Sequence, residues 1–231
     1  MQFNPKYATP VSNTVNSGVR NKVLKNTYLM LSLTMIPTIV GSVIGTGTNF
    51  SFLAQSPIVG SLVMLAVMIG LMFAVSATRN SMWGIILLFL FTFVAGWWLG
   101  PLLQYALHFK NGSQLIGLAA AGTGIIFFTL AGIATTTRKD FSFLGNFLLA
   151  GIILVILASL VNLFLAIPAI SLAISAVAVL VFSGFILFDV NRIVNGGETN
   201  YVMAPLGIYL SLYNLFISLI QLLLAFLGEK D

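Results

Sequence analysis

The sequence contains no cysteine and very few charged residues. Among 231 residues there are ten Lys or Arg and five Asp or Glu, so charged residues make up 6% of the chain, against about 25% in an average soluble domain. The lack of cysteine excludes disulfides, thiolate nucleophiles and thiolate metal ligands. The lack of charge excludes an ordinary water-soluble domain, because 59% of the residues are hydrophobic and the mean hydropathy is +1.07.

Long segments of the chain carry no Asp, Glu, Lys or Arg at all. Three of them lie between Lys25 and Arg79, between Asp140 and Asp189, and between Glu198 and Glu229. A helix that spans the membrane needs roughly 20 mostly apolar residues. The first two segments are each long enough for two such helices and a turn, and the third holds one. The sequence therefore predicts a polytopic α-helical membrane protein.

Polar turns and prolines divide the chain into seven predicted spans. The fold class we expect is all-α, a seven-transmembrane-helix bundle over residues 27–228, with a flexible tail at 1–26 and an outer C-terminal tail at 229–231. The predicted spans cover residues 28–47, 57–77, 82–106, 114–135, 145–167, 169–189 and 203–227.

The distribution of basic residues predicts the orientation. Cytoplasmic loops of membrane proteins carry an excess of Lys and Arg. With a cytoplasmic N-terminus, the outer segments hold only Lys110 and Lys230, and the C-terminus lies outside. The other basic residues are then all inside: Lys6, Arg20, Lys22, Lys25, Arg79, Arg138, Lys139 and Arg192. This bias accounts for the basic balance without any nucleic-acid partner.

The first 26 residues are rich in Asn, Ser and Thr and show no clear apolar periodicity. Such a segment cannot bury enough apolar surface to order itself, so we expect a flexible cytoplasmic tail. Two interpretations of it remain open: a flank that serves only membrane targeting, and a handle that a partner protein grasps.

Polar and small residues recur along the last span at spacings of 4, 3, 4 and 3. They are Gly207, Ser211, Asn214, Ser218 and Gln221. This is the helical period, so all five share one face. A polar stripe in lipid needs partners inside the bundle, and we therefore expect the last helix to be central. The stripe is explained either by interhelical hydrogen bonds or by a water-lined path.

Asp189 stands at the end of the apolar run that forms the sixth span. An acidic residue within a span is by default a functional candidate. Arg192 lies three residues on, at a spacing that also permits a local ion pair on one helix face. The two interpretations, a functional carboxylate and a charge neutralised by Arg192, stay open. We predict a polar site between the sixth and seventh spans formed by Asp189, Ser211 and Asn214.

Small residues elsewhere indicate close helix packing. Gly96 and Gly100 precede Pro101, and Ala120 and Gly124 form a small-xxx-small pair with Gly117 on the same surface. Such residues let neighbouring helix backbones approach closely.

Enzyme chemistry finds no support in the sequence. There is no HExxH and no GxSxG, and the glycine pair at 196–197 is not followed by a phosphate-binding pattern. His108 is the single histidine, and Asp189 lacks the second intramembrane acid that an aspartyl protease of the membrane requires. We therefore predict no catalytic residue, no cofactor and no metal site.

Four sequence elements resemble a known family. They are FILFDVNRIVNGGETNY at 185–201, LGIYLSLYNLFISLIQLL at 206–223, TTTRKDFSFLGNFLLAG at 135–151 and NTYLMLSLT at 26–34. Together they resemble the Bax-inhibitor-type transmembrane family, and the GGETNY and SLYN elements resemble its bacterial YccA branch. The resemblance covers nearly the whole chain and implies a seven-helix bundle with the last helix central.

The resemblance also implies two functions. Members of the YccA branch are inner-membrane proteins that bind the ATP-dependent membrane protease FtsH and moderate its degradation of membrane substrates, with the N-terminus as the part that the protease engages. We therefore expect a regulatory partner of FtsH in the lipid of the bacterial inner membrane. The alternative is a pH-sensitive cation, Ca²⁺ or proton leak gated at Asp189.

The leak alternative rests on an aspartate pair that this chain has only in part. In family members that leak calcium, one aspartate lies on the sixth span and one on the seventh. Asp189 matches the first, whereas Ser211 occupies the position of the second. Two adjacent carboxylates share a proton and titrate together, which a carboxylate opposite a hydroxyl cannot do. One carboxylate also supplies few of the 6–8 oxygen ligands that calcium takes.

Overall fold

The computed structural model describes residues 12–51, 55–137 and 140–229, with side chains from Lys22 onward, and these residues are almost entirely helical. The helices are α1 (Ser12–Thr46), α2 (Pro57–Ala77), α3 (Met82–Trp98), α4 (Gly100–Leu107), α5 (Gly112–Thr136), α6 (Leu144–Leu165), α7 (Pro168–Val194) and α8 (Met203–Leu227).

Within the described residues, seven helical segments are long and apolar enough to cross a membrane. They correspond to the seven predicted spans, with α3 and α4 together forming the third. Large apolar side chains cover the outside of the bundle, including Phe128, Phe147, Leu180 and Phe226. Such a surface is stable only against lipid, and the all-α membrane fold is confirmed.

The first helix extends further toward the N-terminus than the sequence suggested. We expected residues 12–26 in a flexible tail, but α1 begins at Ser12. Val23 is buried in the main core and Thr27 is fully buried, so the helix packs before the apolar span begins. Val15, Val19 and Val23 follow the helical i, i+4 spacing, a signal that the polar composition obscures. The part of the tail expectation that concerns residues 1–11 lies outside the described residues.

The third span is broken into two helices at Leu99. Pro101 has no N–H to donate and its ring crowds the carbonyl four residues earlier, which disrupts a continuous helix. The Leu99 N–H donates to the carbonyls of both Ala95 and Gly96 as α3 ends. Gly100 then begins α4. The sequence predicted one helix over 82–106, so this break is a correction.

The sixth span ends later than expected. We predicted residues 169–189, but α7 continues to Val194. Asp189 therefore lies inside the helix, five residues and about 7.5 Å before its end. Ile186, Val190 and Ile193 are buried along the same stretch, and their burial holds the added turns against the core.

The last helix occupies the centre of the bundle. It packs against α1, α5 and α7 and has buried residues along its length from Ala204 to Leu224. The peripheral helix α6, by contrast, packs mainly on α7 and buries only Leu148 and Asn162. The expectation of a central last helix is confirmed.

Helices α1 and α3 meet through glycines at close range. A Cβ atom added at Gly96 would collide with the backbone carbonyl of Thr38, and one added at Gly41 would collide with that of Phe93. The prediction of packing at Gly96 is therefore confirmed. Gly117 and Gly124 instead face open space with no atom within 4 Å, so the predicted packing surface at these two glycines is wrong.

Candidate functional site

The segment between α7 and α8 forms an ordered turn around Glu198. Gly196 has φ = 77°, a left-handed conformation that glycine adopts without steric cost. One carboxylate oxygen of Glu198 accepts hydrogen bonds from the N–H groups of Thr199 and Asn200 at 3.0 and 2.9 Å. The double glycine and the acid thus build a compact turn.

Asn200 joins this turn to its surroundings. Its Oδ1 accepts hydrogen bonds from the N–H groups of Val202 and Met203 at 2.9 and 3.0 Å, which satisfies two free donors at the start of α8. Its Nδ2 donates to Asn80 Oδ1 at 2.8 Å in the α2–α3 loop. The loops after α2 and α7 therefore lie at the same end of the bundle, as the predicted topology requires.

Asp189 lines a cavity of about 250 Å³ at this end of the bundle, between α2, α7 and α8. The facing position on α8 is Gly207, where an added Cβ would lie 3.2 Å from Asp189 Oδ2. Ser76 of α2 also lines the cavity. Among the described residues, no hydrogen bond reaches the Asp189 carboxylate. A small cavity beside an acidic side chain can hold water or a cation.

Arg192 pairs with a different acid from the one expected. Its guanidinium lies 3.4 Å from Glu198 and its Nε donates to the Gly197 carbonyl at 3.2 Å. The Gly197 position contacts the Arg192 side chain. The turn after α7 thus holds Arg192, and the structure gives Asp189 no ion pair with it. The candidate ion partner of Asp189 is corrected accordingly.

Most polar side chains of the stripe on α8 donate their hydrogen bonds to backbone carbonyls of the same helix. Ser211 Oγ donates to the Gly207 carbonyl, Asn214 Nδ2 donates to the Leu210 carbonyl, and Ser218 Oγ donates to the Asn214 carbonyl. Ser211 and Ser218 are buried, whereas Asn214 is partly buried. The predicted site of Asp189, Ser211 and Asn214 is not joined by hydrogen bonds, because Gly207 is the α8 residue that faces Asp189.

Gln221 makes the interhelical contact that the stripe predicted. Its Oε1 accepts a hydrogen bond from Ser175 Oγ of α7 at 2.6 Å. Ser171, one turn earlier on α7, accepts a hydrogen bond from Asn162 Nδ2 of α6 at 2.7 Å. These side chains line a second cavity, of about 810 Å³, at the opposite end of the bundle from Asp189.

Sequence reasoning did not identify a buried hydroxyl network around Tyr209. The Tyr209 hydroxyl lies 2.9 Å from Thr38 Oγ1 of α1, and the Tyr213 hydroxyl donates to the Ala95 carbonyl of α3 at 2.8 Å. The two rings stack with centroids 6.0 Å apart. The one available signal was the i, i+4 spacing of two tyrosines in an apolar helix.

The described residues contain no group of three or more His, Asp or Glu side chains that could hold a metal ion. Asp189 is the only acidic residue within the described spans, and Glu198 and Arg192, which pair with each other, also line its cavity. The site can therefore bind or release one proton or hold a hydrated cation. It does not provide a preformed calcium site.

The fold and site define a class. Over the residues that the structure describes, this is a helical integral membrane protein with seven spans, a buried last helix and one intramembrane carboxylate at one end of the bundle. A family model described as "Inhibitor of apoptosis-promoting Bax1" matches residues 20–228. The chain belongs to this Bax inhibitor family.

Bacterial relatives match over most of their length. "Modulator of FtsH protease YccA" of Escherichia coli K12 is 44% identical over 88% of this chain and 90% of its own. An uncharacterized membrane protein of Vibrio cholerae is 43% identical over 96% of this chain and 97% of its own. An uncharacterized protein of Neisseria meningitidis serogroup B is 39% identical over 94% of this chain and 96% of its own.

Proposed function

We propose that this protein binds the membrane protease FtsH and modulates its activity, with the N-terminal segment as the part that the protease engages. The observation that carries the proposal is the 44% identity to the relative named as a modulator of FtsH protease. The buried central helix supports it, because a bundle closed around α8 resists extraction by an ATP-dependent protease.

The proposal includes an orientation in the bacterial inner membrane. The N-terminus is cytoplasmic and the C-terminus is outside. Eight of ten basic residues then lie on the cytoplasmic side, as the positive-inside rule requires. The Glu229 backbone pairs with the α4–α5 loop through Lys110 and Asn111, which supports an outer location for the C-terminal tail at 229–231. A related sequence of E. coli O6:H1 is named "Inner membrane protein YccA".

Deleting residues 2–20 is expected to abolish ATP-dependent turnover of this protein by FtsH. The deletion ends before Lys22, where the first span begins, so the bundle loses its leading segment and keeps all seven spans. The measurement is the half-life of the purified protein co-reconstituted with FtsH and ATP in liposomes, together with retention of the pair on an affinity column.

The matched control removes Lys230 and Asp231 from the other terminus and should leave the half-life unchanged. The midpoint of unfolding in mixed SDS micelles should be the same for both deletions, which shows that the bundle is intact. If the protein without residues 2–20 were degraded at the wild-type rate, the N-terminal handle would be excluded. If the full chain were not retained with FtsH, direct binding would be excluded.

The second candidate function is a proton or cation leak through Asp189. The observation that favours it is the cavity beside a carboxylate that has no hydrogen-bond partner among the described residues. Calcium is the least favoured ion, because Asp189, the Ser76 hydroxyl and Glu198, which already pairs with Arg192, supply fewer than the 6–8 oxygen ligands it takes.

Asp189→Asn is the variant that tests the leak, because it removes the charge and keeps the shape of the side chain. If Asp189 carries a leak, the variant should reduce proton or cation flux into liposomes at least about tenfold. Asp140→Asn, which neutralises an acid in the α5–α6 loop outside the cavity, should keep the wild-type flux. Equal flux in wild type and Asp189→Asn, or flux in neither, would reject this function.

A further inference from the structure

The larger cavity lies at the end of the bundle opposite Asp189. Its walls come from α4, α6, α7 and α8, and its volume is about 810 Å³, within the range of about 300–1,000 Å³ typical of ligand sites. Helix α6 packs mainly on α7, whereas α4 packs on α1 and α5. The α4 and α6 walls therefore belong to different parts of the bundle, and Tyr105 and Ser159, one on each of these walls, are exposed at its surface.

Apolar side chains and side chains with a hydroxyl or amide group line this cavity. The described residues that form it include no Asp, Glu, Lys, Arg or His. Leu102, Leu163, Leu172 and Leu224 supply apolar wall. A site without charge does not select an ion or a charged headgroup. It selects a neutral group with an attached apolar chain.

Several hydrogen-bond donors at the cavity have no acceptor within the described part of the chain. Gln221 is held through Oε1 by Ser175, which leaves the two N–H groups of Nε2 without a protein partner. The hydroxyls of Tyr105 and Ser159 also line the cavity and make no hydrogen bond to described residues. A ligand that pairs with these donors must carry hydrogen-bond acceptors, such as ester carbonyls.

These donors lie just below the depth of the lipid ester groups. Ser175 is seven residues after Pro168 and Gln221 is six before Leu227, so both lie about 9–10 Å from the helix ends. The 27-residue helix α7 is about 40 Å long, which equals the thickness of a bilayer with its headgroup regions. The hydrocarbon core is about 30 Å thick, so its boundary lies about 5 Å from each end of a 40 Å helix. The donors lie about 4–6 Å inside that boundary, on the hydrocarbon side of the acyl esters of glycerolipids and within reach of them.

We propose that this cavity is a binding site for one diacyl glycerophospholipid of the outer leaflet. The ester carbonyls accept hydrogen bonds from Gln221, Tyr105 and Ser159, and an acyl chain lies along the leucine wall. The headgroup projects from the cavity and is not selected. The choice of leaflet rests on the proposed orientation, whereas the site itself does not depend on the proposed interaction with FtsH, and its test measures lipid binding alone.

Native mass spectrometry of the purified full-length protein tests the proposal, with phosphatidylethanolamine as the probe. We expect one retained lipid per chain. Dialkyl phosphatidylethanolamine has the same headgroup and chains but ether links in place of the ester carbonyls, and it should bind about threefold more weakly for each hydrogen bond lost. Phosphatidylglycerol should bind as well as phosphatidylethanolamine. Equal binding of the ester and ether lipids, or a preference set by the headgroup, would overturn this mode of recognition.

A matched pair of variants tests the location. Ala225 lines the cavity and is exposed, whereas Ala120 is exposed on α5 away from it. The Ala225→Trp protein should lose the retained lipid, and the Ala120→Trp protein should keep it. Neither substitution places a tryptophan in the core, so both variants should unfold as the wild type does. Retention of lipid by Ala225→Trp would overturn the assignment of the site, as would a peptide or another non-lipid mass bound at unit stoichiometry in the wild type.

Discussion

Replacing Gly96 with alanine is expected to lower the free energy of unfolding by about 2–3 kcal/mol, the upper part of the range for overpacked positions. The single methyl group would collide with the carbonyl of Thr38 on α1. The obstacle is backbone, which no rotamer change can move. Helices α1 and α3 must separate, and their other close contacts, Gly41 with Phe93 and Gly45 with Trp97, are weakened at the same time.

The control for this prediction is the same substitution at Gly124. That glycine lies in the middle of α5 with no atom within 4 Å of an added Cβ. Alanine there should be neutral or stabilise by about 0.5–1 kcal/mol, because glycine costs conformational entropy in a helix. Gly96→Ala should therefore lower the unfolding midpoint in SDS mixed micelles, whereas Gly124→Ala should leave it unchanged or raise it. A shift of the same sign and size in both would contradict the close packing of α1 on α3.

Tyr209→Ala is expected to destabilise the protein by on the order of 3 kcal/mol, as the truncation of a large buried aromatic residue does in other cores. The side chain is 1% exposed and its ring contacts Phe91 and Tyr213. Truncation leaves a cavity at the centre of the bundle, and Thr38 loses the hydroxyl 2.9 Å from its Oγ1. Tyr209→Phe, which keeps the ring, should recover most of the stability.

Phe226→Ala on the same helix provides the control, because this ring is 75% exposed on the outside of the bundle. Its removal leaves no cavity in the core and should change the unfolding midpoint little. Reversible unfolding in SDS mixed micelles measures all three variants. If Tyr209→Ala and Phe226→Ala had equal effects, α8 would not be the central helix of the bundle.

The two glycine surfaces show the limit of a sequence pattern. Gly96 with Gly100 and Gly117 with Gly124 both follow helical small-residue spacings, and the sequence predicted packing at both. In the structure, Gly96 and Gly100 pack against α1, whereas Gly117 and Gly124 face open space. A spacing identifies which residues share a face of one helix. It carries no information on which other helix, if any, covers that face.

Asp189 illustrates the same limit at the candidate site. The spacing of Asp189 and Arg192 permitted an ion pair on α7, and Ser211 was expected opposite the acid. The turn after α7 brings Glu198 to Arg192 instead, at 3.4 Å. The crossing of α7 and α8 sets Gly207 opposite the carboxylate. Both outcomes depend on the path of a loop and on the relative rotation of two helices, which local periodicity does not specify.

The sequence alone determined that this protein is a membrane protein, that it has seven spans and that its last helix is central, because hydropathy and helical period are local properties that lipid enforces strongly. Its motifs also indicated the family. Only the tertiary structure decided which glycines meet a neighbour, which acid Arg192 binds and that Gln221, Ser175, Ser171 and Asn162 line one cavity. These are contacts between residues far apart in the chain, and they are set by the joint packing of several helices.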